Sequence, residues 1–335
     1  MCPWWRKKIM SFCRNQIIQD SRWYFFCSII MGISALYIIL ASGIWWIDGY
    51  IRQSTPLTGD LLLAIETTIA GVLLLLFLWL FKKHHIRKIS HMKSLIAMIL
   101  LGGFWGSWCF AQAVSTTESL GFVFVLIGLQ PIFTILSSAM LLWEHPRGSF
   151  YAFAATTIFA SILLTIGDTG FTLNASSLHS YIYAILTAIF WWTSTTYAKI
   201  VVTKNSHLYA LGLRLLFTGL LGWVIVFISH EMIELSAIAQ KISMNPLNIV
   251  FLIFVSDLLA YSIYYRGLQD VPATIATIFE LAFPLTGFII DYILYDSIPS
   301  PMKVVAAMTI LMSIVILPHC HFIEEKHQKL LIQNT

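Results

Sequence analysis

The sequence predicts an all-α integral membrane protein with ten transmembrane helices arranged as two inverted five-helix repeats. Three observations predict it. Of the 335 residues, 58% are hydrophobic and only 11% are charged, whereas a soluble domain carries about 25% charged residues. The apolar residues are gathered into long unbroken runs, and motifs in the first half of the chain recur in the second. This composition excludes a water-soluble enzyme, a disordered tail protein and a disulfide scaffold.

A helix needs roughly 20 apolar residues, within about 17–25, to cross the hydrocarbon core. Ten runs approach that length: Trp23–Ile47, Leu61–Phe81, Ser94–Val114, Ser119–Trp143, Ser149–Gly167, Leu178–Ile200, Leu208–Ser229, Leu247–Arg266, Val271–Leu294 and Met302–Leu317. Each is continuously apolar, which selects helices over the alternating strands of a membrane barrel. Residues 1–22 are basic and precede an apolar run too long for a signal-peptide core, so they read as a cytoplasmic segment before a retained first span. The expected organisation is that segment, a first repeat over 23–167, a second over 178–317 and a cytoplasmic tail over 318–335.

Orientation follows from Lys and Arg near the span ends. One side collects Arg6, Lys7, Lys8, Arg14, Arg22, Lys82, Lys83, Arg87, Lys88, Lys93, Arg147, Lys199, Lys204, Arg266, Lys326 and Lys329; the other has Arg52 and Lys241, with Lys303 at a helix end. Ten spans then leave both termini in the cytoplasm. The net charge of +4 is on this reading a topology signal facing lipid headgroups, not a nucleic-acid footprint. Cys2, Cys13 and Cys320 fall on the reducing side and Cys27 and Cys109 inside spans, which leaves no outward pair for a disulfide. His84-His85 and His319-Cys320-His321 lack a second pair at zinc-site spacing, so no metal and no cofactor is expected.

The repeat is carried by several matches. Ala111-Gln112-Ala113-Val114-Ser115 through Gln130-Pro131 parallels Tyr264-Tyr265-Arg266-Gly267-Leu268 through Phe283-Pro284, and the two prolines lie 153 residues apart. Each is followed fifteen residues later by another, Pro146 and Pro299. Glu66 precedes Gly71 by five residues and Arg214 precedes Gly219 by five, an offset of 148. Two five-span halves enter the membrane from opposite sides, and inverted repeats of that kind recur in secondary transporters around a midplane site.

With five spans per half, short loops, Pro131 followed by Glu144 at the end of the fourth span, and the third-span ending Phe110-Ala111-Gln112-Ala113 matched by Tyr264-Tyr265-Arg266-Gly267-Leu268, the chain resembles the drug/metabolite transporter superfamily in its EamA branch. The resemblance spans about residues 23–318. It implies an inner-membrane transporter, often an exporter of amino acids or related metabolites, with a central cavity lined by both halves. Arg214 occupies the family's seventh-span arginine position. The second-span position that often holds another arginine holds Glu66 here, and Glu144 has Asp296 as its nearest counterpart, one residue out of register.

Ionisable residues inside spans carry the sharpest chemical signal, because a charge at a helix centre costs about 2.5–3.5 kcal/mol even on insertion scales. Glu66, Arg214, Asp257 and Glu280 qualify. At 1.5 Å of rise per residue, Glu280 lies roughly 3–5 Å and Arg214 roughly 6–7 Å to the cytoplasmic side of Asp257. The expected pair is therefore Arg214 with Glu280 or Asp257, a contact that either binds solute or only fixes packing. Helical spacing puts Thr277, Glu280, Pro284, Gly287 and Asp291 on one stripe, Asp257, Tyr261 and Tyr264 on a second, and Trp105, Trp108 and Gln112 on a third. Arg214, Asp257, Glu280, Glu66, Trp105, Trp108, Gln112 and Tyr261 are the candidate solute contacts. Pro131, Pro284 and Gly287 are the candidate bends, and Glu280 with Asp291 a candidate proton path.

Three other classes compete. An integral-membrane enzyme acting on a lipid-linked substrate needs catalytic groups at the interface, and the chain has no Asp-x-x-Asp, His-Glu-x-x-His or Gly-x-Ser-x-Gly. A channel would place a ring of like groups around its pore. A pump needs a nucleotide-binding loop that the chain lacks. The expectation is secondary transport of a small organic solute, proton-coupled or by exchange, with amino acid export foremost. Three acids against one arginine further predict a cavity that favours an ammonium group and a zwitterion.

Overall fold

Helices form wherever the sequence runs apolar, because a chain in lipid satisfies its backbone polar groups only internally. The computed structural model describes residues 21–81, 89–117, 120–144, 148–166, 178–229, 235–295 and 300–316, omitting the side chains of 21–30, 149, 235–237, 291, 294 and 295. The expected N-terminal segment as far as residue 20, the tail from 318, both histidine clusters, Cys2, Cys13, Cys320, Asp296 and the side chains of Cys27 and Asp291 lie outside the described residues.

Every regular element among the described residues is helical. In chain order they are α1 Ser21–Ser54, α2 Gly59–Phe81, α3 Met92–Thr116, α4 Leu120–Ile127, α5 Gln130–Leu141, α6 Gly148–Ile166 and α7 Leu178–Lys204. There follow α8 His207–Ile228, α9 Leu235–Met244, α10 Pro246–Leu268, α11 Ala273–Phe279, α12 Ala282–Tyr295 and α13 Pro301–Ile316. Seven stretches are long and apolar enough to cross a membrane: Met31–Ser54, α2, α3, Leu120–Leu141, α8, α10 and Ala273–Ile290. Helices also stand at the three other expected positions; α7 has 27 residues, while Phe150–Thr165 and Pro301–Ile316 are apolar but shorter.

Polarity is turned inside out. Glu66 is 0%, Asp257 3% and Arg214 5% exposed, while Trp79, Phe227 and Val305 are 56%, 68% and 66% exposed. A water-soluble monomer rarely shows contiguous apolar surface on that scale; hydrocarbon is the medium that fits it.

Several boundaries differ from expectation. α1 runs on to Ser54, so Arg52 belongs to a helix rather than to a connecting loop. α7 runs to Lys204, past the expected end at Ile200, so Lys204 belongs to a helix rather than to a connecting loop. The expected fourth and ninth spans are each interrupted, at residues 128–129 and 280–281. The loop expected around Lys241 contains α9.

The centre of the bundle is the α2–α8 crossing. A Cβ on Gly71 would strike the backbone of Leu216, and one on Gly219 would strike the backbone of Thr68. The two contacts are reciprocal: the 148-residue offset that carries Gly71 onto Gly219 carries Thr68 onto Leu216. A second matched pair is the π-helical stretches, Met98–Gly106 in α3 and Phe251–Ala260 in α10, which begin 153 positions apart.

Candidate functional site

The two interruptions face one cavity of about 760 Å³, counting its open mouth. Gly128, Gln130 and Pro131 line one wall; Glu280, Leu281, Phe283 and Pro284 line another. Each break is local in origin. Pro131 sits in the first turn of α5, where its missing N–H leaves no bond unmade. Pro284, in the first turn of α12, does the same. Irregular backbone at membrane depth is tolerated where it borders a cavity.

An aromatic wall completes the site. Trp45 of α1 lies 4.8 Å from Tyr261 and 5.0 Å from Tyr264, ring centre to ring centre. Trp191 of α7 and Phe283 also line the space. Trp45 Nε1, Trp191 Nε1 and Thr277 Oγ1 are buried without a hydrogen-bond partner.

Arg214 is held by neutral groups. It donates to Tyr265 Oη at 2.7 Å, to Tyr261 Oη at 3.3 Å and to the Gly102 carbonyl at 3.1 Å. Its guanidinium lies 4.3 Å from the Tyr261 ring centre, a cation–π distance. Gly102 and Gly103 permit the approach, because a Cβ on the first would strike Ser194 and on the second Thr218 and Arg214. The expected pairing of Arg214 with Glu280 or Asp257 is corrected: Arg214 forms no ion pair among the described residues. Glu280 instead accepts from Gln130 Nε2 and Tyr264 Oη, each at 2.5 Å.

The remaining candidates separate into other places. Glu66 pairs with Arg52 at 2.6 Å, and Arg52 also binds Asp48, one turn earlier, at 3.0 Å. Asp257 makes no hydrogen bond or ion pair among the described residues, and its Oδ2 is buried. Trp108 and Gln112 both donate to Asp60 Oδ1 at 2.6 Å. Trp105 is 41% exposed and edge-on to Trp108 at 5.8 Å. Gly287 packs on the Trp46 indole. Of the candidate contacts and bends, Arg214, Tyr261, Glu280, Pro131 and Pro284 line the cavity; Glu66, Asp257, Trp105, Trp108, Gln112 and Gly287 do not.

Sequence reasoning passed over Gln130, Tyr264, Trp45 and Arg52. Signals were present for two of them: Tyr264 shares a helical stripe with Tyr261, and Arg52 stands four residues after Asp48, the spacing of a helical ion pair.

The turn between α10 and α11 is clasped from two sides. Lys199 Nζ donates to the carbonyls of Leu268, Gln269 and Val271 at 2.8, 3.2 and 2.7 Å. Glu144 accepts from the Ala273 and Thr274 N–H groups at 3.1 and 3.0 Å and from Thr274 Oγ1 at 3.0 Å. A cation thus caps the end of one helix and an anion the start of the next, the arrangement the peptide dipoles favour. The acid noted as a family feature is here a clasp between α5 and α11.

Comparison with known proteins places this architecture. The model of the EamA-like transporter family matches residues 31–167 and again residues 178–317. A riboflavin transporter, ImpX, of Fusobacterium nucleatum subsp. nucleatum is 28% identical over 297 residues, covering 84% of this chain and 96% of the relative. A solved crystal structure superposes with a TM-score of 0.68 over 87% of this chain and 96% of that one, at 16% identity, which speaks to the fold alone. The chain belongs to the EamA-like transporter family, within the drug/metabolite transporters, and is a multi-pass membrane transporter of a small solute.

Proposed function

We propose that the protein transports a flat, uncharged heteroaromatic solute of the riboflavin class. The observation that carries this reading is the cavity lining: aromatic rings on several sides, with both charged groups already bonded to the protein. Arg214 spends its donors on two phenols and a carbonyl, and Glu280 accepts from Gln130 and Tyr264. Ligand sites of this kind are mostly apolar and orient the ligand with a few polar groups. The name of the ImpX relative supports the same class.

Amino acid export is the second reading, favoured by one observation, that Arg214 and Glu280 bring opposite charges to one cavity. It is weakened because the expected surplus of negative charge counted Glu66 and Asp257, which do not line the cavity. Purified protein in detergent is expected to quench riboflavin fluorescence saturably, with no competition from excess leucine or lysine. Trp45→Ala is expected to weaken binding about tenfold, close to the roughly 1–1.5 kcal/mol of one aromatic contact. Competition by amino acids without riboflavin binding would reverse the order of the two readings. Turnover of a lipid-linked substrate would favour the enzyme alternative.

We also read the chain as ten spans in two inverted halves with both termini cytoplasmic. The twofold family match, the paired π-helical stretches and the reciprocal glycine contacts support it. Cysteines introduced at residues 54 and 85 are expected to label from opposite sides of sealed vesicles. Labelling from the same side would break the topology.

A further inference from the structure

We propose that Asp257 is a proton-binding site, and that loss of its proton draws Arg214 out of its tyrosine cradle toward the Asp257 carboxylate. The inference does not depend on which solute is carried. It starts from two groups that lack what each most needs. Arg214 is a buried cation, 5% exposed, with no anion bonded to it among the described residues. Asp257 is a buried acid, 3% exposed, and among the described residues no cation is bonded to it and its Oδ2 has no hydrogen-bond partner. Two such charges in one dry region attract strongly, yet the arginine is turned to Tyr261 and Tyr265. A neutral, protonated Asp257 removes that contradiction, because an isolated carboxylate out of water is far costlier than the acid.

The surroundings narrow the choice further. Asp257 lies in the π-helical stretch of α10, packed against α1 and α2. The charged and titratable groups around it are Asp48 and Arg52 from α1, Glu66 from α2, Arg214 from α8, and Tyr261 one turn along its own helix. Arg52 is already shared between Asp48 and Glu66, so ionising Asp257 would put a third acid on one arginine. Arg214 has no competing acid. Among the described residues no three acids, histidines or cysteines converge as metal ligands.

Deprotonation breaks the Asp257 O–H bond and passes the proton to water. The carboxylate then competes with the two phenols for the guanidinium. Tyr261 and Tyr265 both line the cavity, so the exchange strips a cation from its wall. A proton on Asp257 and the shape of the solute site become alternatives of one two-state element.

Infrared difference spectra of the purified full chain, taken between acidic and alkaline buffer, test both halves. The wild type is expected to lose a carboxylic C=O band that shifts in heavy water, together with a change in the arginine guanidinium bands. Asp257→Asn is expected to abolish both signals. Arg214→Lys is expected to keep the carboxylic band and abolish the guanidinium change. A wild type without a titrating carboxylic band overturns the site, as does an Asp257→Asn protein that keeps the full band. A guanidinium change that survives in Asp257→Asn overturns the exchange. Should Asp257→Asn fail to fold, Asp257→Glu must shift the frequency of the band, and an unshifted band assigns the proton elsewhere.

Discussion

Arg52→Leu is expected to destabilise the folded protein by about 3–5 kcal/mol, the cost of leaving a buried charge without its partner. Glu66, 0% exposed, would lose the ion pair at 2.6 Å, and Asp48 would lose its partner in the next turn. Thermal unfolding in detergent measures the loss. Adding Glu66→Leu to Arg52→Leu is expected to restore part of it, because a dry pair replaced by apolar groups of similar volume is often close to neutral. A double variant no more stable than the single would mean that Arg52 acts through Asp48 alone.

Gly71→Leu is expected to prevent assembly of the bundle, and Gly71→Ala to cost about 2–3 kcal/mol, the upper range for overpacking. The neighbour is backbone: the Leu216 nitrogen and Cα sit where the new carbon must go, so no rotamer change relieves the clash. Gly106 supplies the contrast. A Cβ there meets the Trp191 ring, and trimming that ring in Gly106→Ala/Trp191→Leu is expected to recover stability, whereas trimming Leu216 to Ala is not expected to rescue Gly71→Ala. Monodispersity on size exclusion and the unfolding midpoint distinguish the two cases. Equal rescue at both positions would show that the α2–α8 crossing can slide apart.

What the sequence revealed, and what it hid, follows from the range of the interactions involved. Membrane helices are legible because lipid demands some 20 apolar residues in a row, and the interruptions are legible because Pro131 and Pro284 mark them within the chain itself. The partners of buried charges are not legible in the same way. Arg214 was expected to seek an acid because Coulomb's law favours one, but the acids sit on helices whose rotation is set by glycine contacts and π-helical turns that no single stretch encodes. Gly102 offers a carbonyl to Arg214 only because α3 is π-helical there and carries no side chain at two successive positions. Arg52 was counted with the loops because it stands beyond the apolar run. The helix continues under it, and Asp48 and Glu66 make that burial tolerable.

The paired π-helical stretches have a mechanical consequence. An α-helix advances about 100° per residue, so its two ends are locked in azimuth once its length is fixed. A π-helical stretch holds more residues per turn, and tightening it to α geometry lets the segment beyond it rotate about its own axis while the segment before it stays still. In α10 the residues beyond the stretch are Tyr261, Tyr264 and Tyr265; in α3 they are Trp108 and Gln112. Tightening either stretch would turn the segment beyond it, sweeping the tyrosines across the cavity in α10 and carrying Trp108 and Gln112 away from Asp60 in α3. Angular freedom of that kind would reside in the screw pitch of two helices rather than in the loops.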